Sequence, residues 1–343
     1  MLAMLWFCLA AMTITGYVLL DGFDLGAGIV RLFVTRTEGE TSQVLRSIGP
    51  VWDGNEVWLV AVGGALFFAF PALYASAFSG FYLSLMIVLW LLILRGVSIE
   101  FRSHMDSAQW QQLWSTVFGL ASAALALVFG IALGNVVRGV PLDQSGYFFL
   151  PLWTNFSPAG EVGIFDWYTL LVGVASLLAL AVHGSLWVVL KTEGSLQERT
   201  RLFGARCWTA SVPIMLLMTG VSFAIQPNLI KQFRAHPWGA IFPALAIVGM
   251  MGARVLSSRR RDLRAFLASG LYLVGMLSSV AFGVFPNVLP SNTRPDLGLT
   301  IYNAATAEYG LFVGLCWYIP GMALAIGYAV LVYRHSAGKV NAG

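Results

Sequence analysis

The chain has 343 residues, of which 58% are hydrophobic and only 10% charged. A soluble domain carries about 25% charged residues, so a water-soluble globular fold is excluded and an all-α integral membrane protein is indicated. The formal charge of +4 comes from basic residues scattered through short loops, a pattern that excludes a nucleic-acid surface.

Apolar runs bounded by polar or Gly/Pro punctuation predict about nine transmembrane helices, near 3–30, 51–74, 77–98, 113–137, 165–190, 207–227, 238–257, 265–287 and 309–333. Most approach or exceed the roughly 20 residues that a bilayer span needs. No Lys or Arg precedes Arg31 and no small-residue cleavage site follows the first run, so that run is expected to stay as a span rather than be removed as a signal. It is longer than a bilayer requires, and "LLDGFDLGAG" places Asp21 and Asp24 near its end. The second run opens with "GPVWDGNEVWLV", carrying Asp53, Asn55 and Glu56, and the third closes with "LRGVSIEFR", carrying Arg95, Glu100 and Arg102.

After the fourth run comes a long connection, about 138–164, rich in Pro, Gly and aromatics. Such a segment suits an interfacial belt or a packed partner surface. The fifth run holds His183, the one histidine well inside a predicted span, and "KTEGSLQERTRLFGAR" after it reads as a solvated amphipathic connection. "RRRDLR" reads as a topology anchor touching anionic lipid heads, and a second long connection runs near 288–308. Cys8, Cys207 and Cys316 lie inside apolar runs without CxxC spacing, the habit of small buried apolar side chains rather than a disulfide or metal framework.

Sixteen of the 20 Lys and Arg residues fall on one set of loops and helix ends; the other set holds only Arg138, Lys231, Arg234 and Arg294. The richer side is therefore expected to be cytoplasmic, which with nine spans puts the N-terminus outside and the C-terminus inside. Laying "LLDGFDLGAGIV" over "LAVHGSLWVVL" sets Asp21-Gly22 against His183-Gly184. That echo fits two four-helix bundles, 1–137 and 165–287, plus one additional helix at 309–333.

On this topology three consecutive spans bring Asp21, Asp24, Asp53, Asn55, Glu56, Arg95 and Glu100 to a common depth. Asp21 and Asp24, three apart on a helix, share a face. An acid in the middle of a span costs about 2.5–3.5 kcal/mol on insertion scales, so the group persists only if its members pair, bind an ion or face water. Acids near helix ends can also simply reach interfacial water, and Arg95 can serve as an anchor. Proton or cation handling is the sharper reading. One intramembrane histidine with scattered methionines is a poor kit for haem ligation, so no cofactor or metal ligand is assigned to this chain.

"GYVLLDGFDLGAG", "GPVWDGNEVWLVAVGGALFFAFPALYASAFSGFY" and "LRGVSIEFR" closely resemble subunit II of the cytochrome bd-type quinol oxidases, and "PNVLPSNTRPDLGLTIYNAATAEYGL" looks like that family's outer loop before its last helix. The "RGVSIEFR" form looks more like the shorter, cyanide-insensitive-type branch. After Asn303 the sequence departs from the family's small-hydroxyl run, so no role is carried onto Glu308.

The resemblance implies a respiratory heterodimer in a bacterial inner membrane. Its partner, subunit I, carries two b-type haems and one d-type haem, oxidises quinol and reduces dioxygen to water. Subunit II would bind no haem and contain no catalytic residue. Its implied roles are scaffolding, with room for a bound quinone, lipid and a small single-helix accessory subunit, and a proton path from the cytoplasm. In that path Asp53 leads, with Asp24 and Arg95 beside it and Asp21, Asn55, Glu56 and Glu100 as further members. A secondary transporter or ion-binding membrane protein using the same acids is the rival reading, although its site would be expected nearer the midplane.

Overall fold

The computed structural model describes residues 1–158 and 160–340. The chain is built almost entirely of helices: α1 Leu2–Val34, α2 Glu38–Ile48, α3 Trp52–Ala69, α4 Pro71–Gly80, α5 Tyr82–Phe101, α6 Ala108–Arg138, α7 Trp167–Lys191, α8 Gly194–Ile225, α9 Pro227–Ala235, α10 Ile241–Ser258, α11 Asp262–Val284 and α12 Glu308–His335. Among the described residues eight helices are long and apolar enough to cross a membrane, namely α1, α5, α6, α7, α8, α10, α11 and α12. This is an all-α, multi-pass membrane protein. The expected span outside these eight, near 51–74, corresponds to α3, whose 18 residues reach about 27 Å at 1.5 Å per residue.

Two sequence expectations are corrected by local chemistry, and two short helices, α2 and α9, lie in connections for which the sequence reading named no element. The run expected as a span over 51–74 breaks at Phe70 (φ −132°, ψ 64°), because the ring of Pro71 bars its predecessor from helical backbone. The remainder becomes α4, and the next span begins at Tyr82 rather than 77. The "KTEGSLQERTRLFGAR" run is not a free connection: residues from Gly194 onward form the first turns of α8. Leu196, Thr200, Gly204 and Cys207 are buried along it, a stripe at the three-to-four spacing of one helix face. The connection after α1 contains α2, started by the Thr37 side chain accepting from the Glu40 backbone N–H with Glu38 and Glu40 favoured at the positive helix end. Finally, Pro227 at its first turn starts a separate short helix, α9.

Helix α1 is central, packing on α3, α6 and α7, while α5 lies on α6 and α10 pairs with α11. The backbones of α1 and α7 touch at Gly26 and Gly184, where a Cβ on either glycine would overlap the other helix's main chain. One apolar cluster joins Leu25, Ile29 and Leu125 to Leu180, Leu186, Ala246 and Leu273, so the halves share a core across this contact. At the end remote from the basic residues, β1 Asn287–Leu289 pairs antiparallel with β2 Leu299–Thr300. Val140 bridges to Ser291, and Phe148, Leu142 and Leu289 pack with Trp6 and Phe70 into a cap. The aromatics of 138–164 therefore divide: Phe148 is core, whereas Phe149 and Trp153 are exposed.

Candidate functional site: a buried acid cluster

The polar centre lies between α1, α3, α5 and α12. Asp21, Asp24 and Arg95 are fully buried. Arg95, reaching across from α5, donates through Nη1 to Asp21 Oδ2 at 3.0 Å and through Nη2 to Asp21 Oδ1 at 2.5 Å. This forked arrangement is the strongest geometry an arginine and a carboxylate can adopt. Asp24 stands 4.0 Å from the same guanidinium, beyond hydrogen-bond range. Its Oδ2 accepts instead from Asn55 Nδ2 at 2.8 Å, and the same amide nitrogen donates to the Leu20 carbonyl at 3.2 Å. Tyr333, on α12, donates its hydroxyl to Asn55 Oδ1 at 2.8 Å. This fixes which end of the amide faces Asp24.

Glu56 lies one face-step along α3, with Oε2 3.6 Å from Arg95 Nη1 and a quarter of its side chain exposed. Three carboxylates thus surround one guanidinium. Two oxygens and one nitrogen are left over: Asp24 Oδ1, the Tyr17 hydroxyl one turn before Asp21, and Arg95 Nε are buried without a hydrogen-bond partner. Buried polar groups are nearly always partnered, so two oxygens and a nitrogen left over in one cluster set it apart.

Five of the seven residues singled out from sequence, Asp21, Asp24, Asn55, Glu56 and Arg95, meet here. Asp53 and Glu100 do not. Asp53 is in the first turn of α3 on an exposed face, and Glu100 is exposed near the end of α5. Asp53 is therefore not the centre of the cluster. It lies three residues before Glu56 on the same side of α3, at the outer edge. Tyr17 and Tyr333 escaped the sequence reading, because a tyrosine in an apolar run carries no mark of what its hydroxyl meets.

His183 sits on the far side of α1. Its Nδ1 is 2.7 Å from Ser269 Oγ, its Nε2 is 3.1 Å from the Leu19 carbonyl, and its ring stacks on Phe266. Both ring nitrogens are committed, so the side chain as placed offers no axial donor to a haem. Among the described residues no group of three or more His, Cys, Asp or Glu side chains is arranged to hold a metal ion.

Other charged residues are held by partners on neighbouring elements, although the Nε atoms of Arg31, Arg138 and Arg199 are, like that of Arg95, unpartnered. Arg31 donates to Thr116 and Gln112 on α6. Arg102 pairs with Glu38 and donates to Ser42 and Ser115, and Arg199 pairs with Glu40, so α2 is clamped against the ends of α5 and α8. At the opposite end Arg138, counted above among the loop cations, is buried. It pairs with Asp166 and donates to Asn135 Oδ1 at 2.6 Å and the Gly163 carbonyl at 3.0 Å. Asp166 also caps α7 by accepting from the Tyr168 and Thr169 backbone N–H groups.

Fold and site define a polytopic α-helical membrane protein whose distinguishing chemistry is a buried, partly unsatisfied acid cluster. Residues 2–336 match the sequence profile of the family described as cytochrome bd terminal oxidase subunit II, and the chain belongs to that family. It is similar to a probable cytochrome oxidase subunit 2 of Haemophilus influenzae, 30% identical over 366 residues covering 99% of this chain and 96% of that one. The cytochrome bd-I ubiquinol oxidase subunit 2 of Escherichia coli is 29% identical, covering 99% and 95%. The cytochrome bd ubiquinol oxidase subunit 2 of Bacillus subtilis is 31% identical over 309 residues, 90% of this chain and 88% of that one. The fold matches a chain of the bd oxidase structure from Geobacillus thermodenitrificans with a TM-score of 0.77 at 18% identity, covering 97% and 98% of the two chains. The chain is accordingly one part of a quinol oxidase enzyme complex.

Proposed function

We propose that this chain is the haem-free subunit of a quinol:oxygen oxidoreductase in a bacterial cytoplasmic membrane. Its basic face would lie in the cytoplasm and its N-terminus outside. It would support assembly of a haem-bearing partner and conduct protons to it from the cytoplasm. Family membership supports the complex, and the sixteen-to-four division of Lys and Arg supports the orientation. The commitment of both His183 nitrogens supports assigning all haem chemistry to the partner.

The observation that carries the proton path is the unshared Asp24 carboxylate at the end of a series of increasing burial. Asp53 is exposed, Glu56 is three-quarters buried and Asp24 is wholly buried. One guanidinium balances one buried carboxylate, and Asp21 takes it through two hydrogen bonds. The second buried carboxylate then needs a proton or water, and Asp24 Oδ1 is the oxygen left without a hydrogen-bond partner. Reduction of one O2 to two waters consumes four protons with four electrons, and drawing those protons from the cytoplasm makes the reaction electrogenic. In this path Asp53 collects protons at the mouth, Glu56 passes them inward and Asp24 holds them within the bundle. Arg95 positions Asp21 and sets the charge of the group.

The experiment is oxygen consumption at saturating quinol, normalised to haem, in the assembled complex carrying Asp53→Asn, Glu56→Gln or both, with membrane potential followed in liposomes. Each neutral isostere keeps the shape and removes one titration. The double variant is expected to turn over several-fold more slowly at unchanged haem content. Parent turnover and parent potential in the double variant would show that these acids are structural.

A further inference from the structure

A second cationic feature lies away from the acid cluster, in a narrow cleft where α7, α8 and α10 converge toward the basic face. Its floor is closely packed: Leu186 and Val189 from α7 and Ala253 from α10 are buried, and Ser185, Thr200 and Ser257 line it beside Ala205 from α8. Trp208 closes its inner end by donating Nε1 to the Met250 carbonyl at 2.9 Å, tying α8 to α10 one turn deeper than Arg254. Two arginines enter the cleft, Arg201 and Arg254.

Arg201 is partly used. Its Nη1 donates to the Ser257 carbonyl at 3.1 Å and to Asp262 at 2.7 Å, while its Nε is buried without a partner. Arg254, four residues inside the end of α10 and half-buried, has neither an ion-pair nor a hydrogen-bond partner among the described residues. The exposed Arg259, Arg261 and Arg264 stand just beyond it, so the positive potential is not cancelled locally. A guanidinium inside a span, open to this cleft and unpaired, is costly unless an anion meets it. The anion available at that depth is the headgroup phosphate of a lipid, whose acyl chain belongs on an apolar surface such as that of Met251 and Ile247, exposed three and seven residues before Arg254.

We propose that the mouth of this cleft binds the headgroup of one anionic phospholipid from the leaflet on the basic face. Its phosphate is held by Arg254 with help from Arg201, and one acyl chain runs down the outer side of α10 over the exposed Met251 and Ile247. Phosphate suits the arginine fork, and the surrounding arginines favour a lipid of net negative charge over a zwitterionic one.

The test uses the assembled complex in nanodiscs of phosphatidylcholine with a minority of phosphatidylglycerol, followed by mild delipidation and lipid counting by native mass spectrometry. The parent is expected to retain one more phosphatidylglycerol per complex than Arg254→Met. Arg206→Met, which removes an exposed charge from α8, is expected to retain as many as the parent. Equal retention in parent and Arg254→Met would overturn the site. So would an equal loss in Arg206→Met, or equal retention of phosphatidylcholine by the parent. Should Arg254→Met fail to assemble, the parent alone decides: a photoactivatable phosphatidylglycerol must label the α10 peptide around Ile247 and Met251, and labelling confined elsewhere rejects the proposal.

Discussion

Arg95 and Arg138 are both buried arginines paired with an aspartate, at opposite ends of the helical assembly. Around Arg138 the carboxylate is used up: one oxygen of Asp166 receives the guanidinium and the other two backbone N–H groups of α7. Asn135 links the same arginine to the chain before α7 by donating to the Ile164 carbonyl. Around Arg95 there are three carboxylates for one cation, and Asp24 keeps an oxygen without a partner. The same residue types therefore serve two ends. A saturated site holds a helix start in place, and in the unsaturated one a buried carboxylate oxygen is left without a partner, which is where the proposed proton path places its inner acid. What separates them is the hydrogen-bond count at each oxygen, not depth or residue type.

The largest effect should come from opening the saturated site. Asp166→Ala strips the α7 cap and leaves Arg138 buried without a counter-charge, a loss on the order of 3–5 kcal/mol. The yield of haem-containing complex and its thermal midpoint in detergent should fall sharply, and a variant as stable as the parent would dissolve the contrast. Asp24→Asn should do the reverse. It keeps the shape at the unsaturated site and removes the titration, so turnover per haem should drop at least about tenfold, or about 1.4 kcal/mol in the barrier. The midpoint should stay near the parent value.

Tyr333→Phe deletes only the hydroxyl that orients Asn55, a contribution of about 1 kcal/mol. It should slow turnover less than Asp24→Asn does. A null result there would remove α12 from the functional cluster.

The smallest effect concerns the clamp on α2. Partial burial by itself would raise the pKa of Glu40, but hydrogen bonds from Arg199 and from the Arg36 backbone N–H outweigh it, so the folded pKa lies below the ordinary value. A depressed carboxyl pKa means that the stabilisation is complete above the unfolded pKa and fades as pH falls through the folded one. The midpoint difference between the parent and Glu40→Gln, worth under about 1 kcal/mol for a pair this near the surface, should therefore be present at neutral pH. It should close as the medium is acidified below the ordinary carboxylate range.

The helices and the acid cluster were largely legible because both rest on short-range signals. Apolar runs set the spans, and Asp21, Asp24, Asn55, Glu56 and Arg95 stand out as polar groups where burial is costly. The break at Phe70 was also written locally, in the proline that follows it, but the apolar run across it hid the interruption. The first turns of α8 were obscured by a surface of Glu, Arg and Gln around the buried stripe of Leu196, Thr200 and Gly204. The relative placement of Asp53 and Glu56 required knowing which side of α3 meets α1. The Arg138–Asp166 site and the tyrosines depend on partners 28 to 278 residues away, which no local pattern encodes.

Helix α12 is mostly exposed, yet it is joined to the N-terminal half at both ends. Trp6 Nε1 donates to the Leu311 carbonyl at 2.9 Å, and Tyr333 closes on Asn55. Because a ribosome delivers α12 after α1, α3 and α5, the amide partner of the carboxylate pair on α1 stays unanchored until Tyr333 is made. Completion of the cluster is thereby tied to the synthesis of α12. A chain that stalls before Tyr333 would enter the bilayer with its most costly polar groups still unlocked, and a membrane protease that senses loosely held spans could tell such fragments from finished subunits.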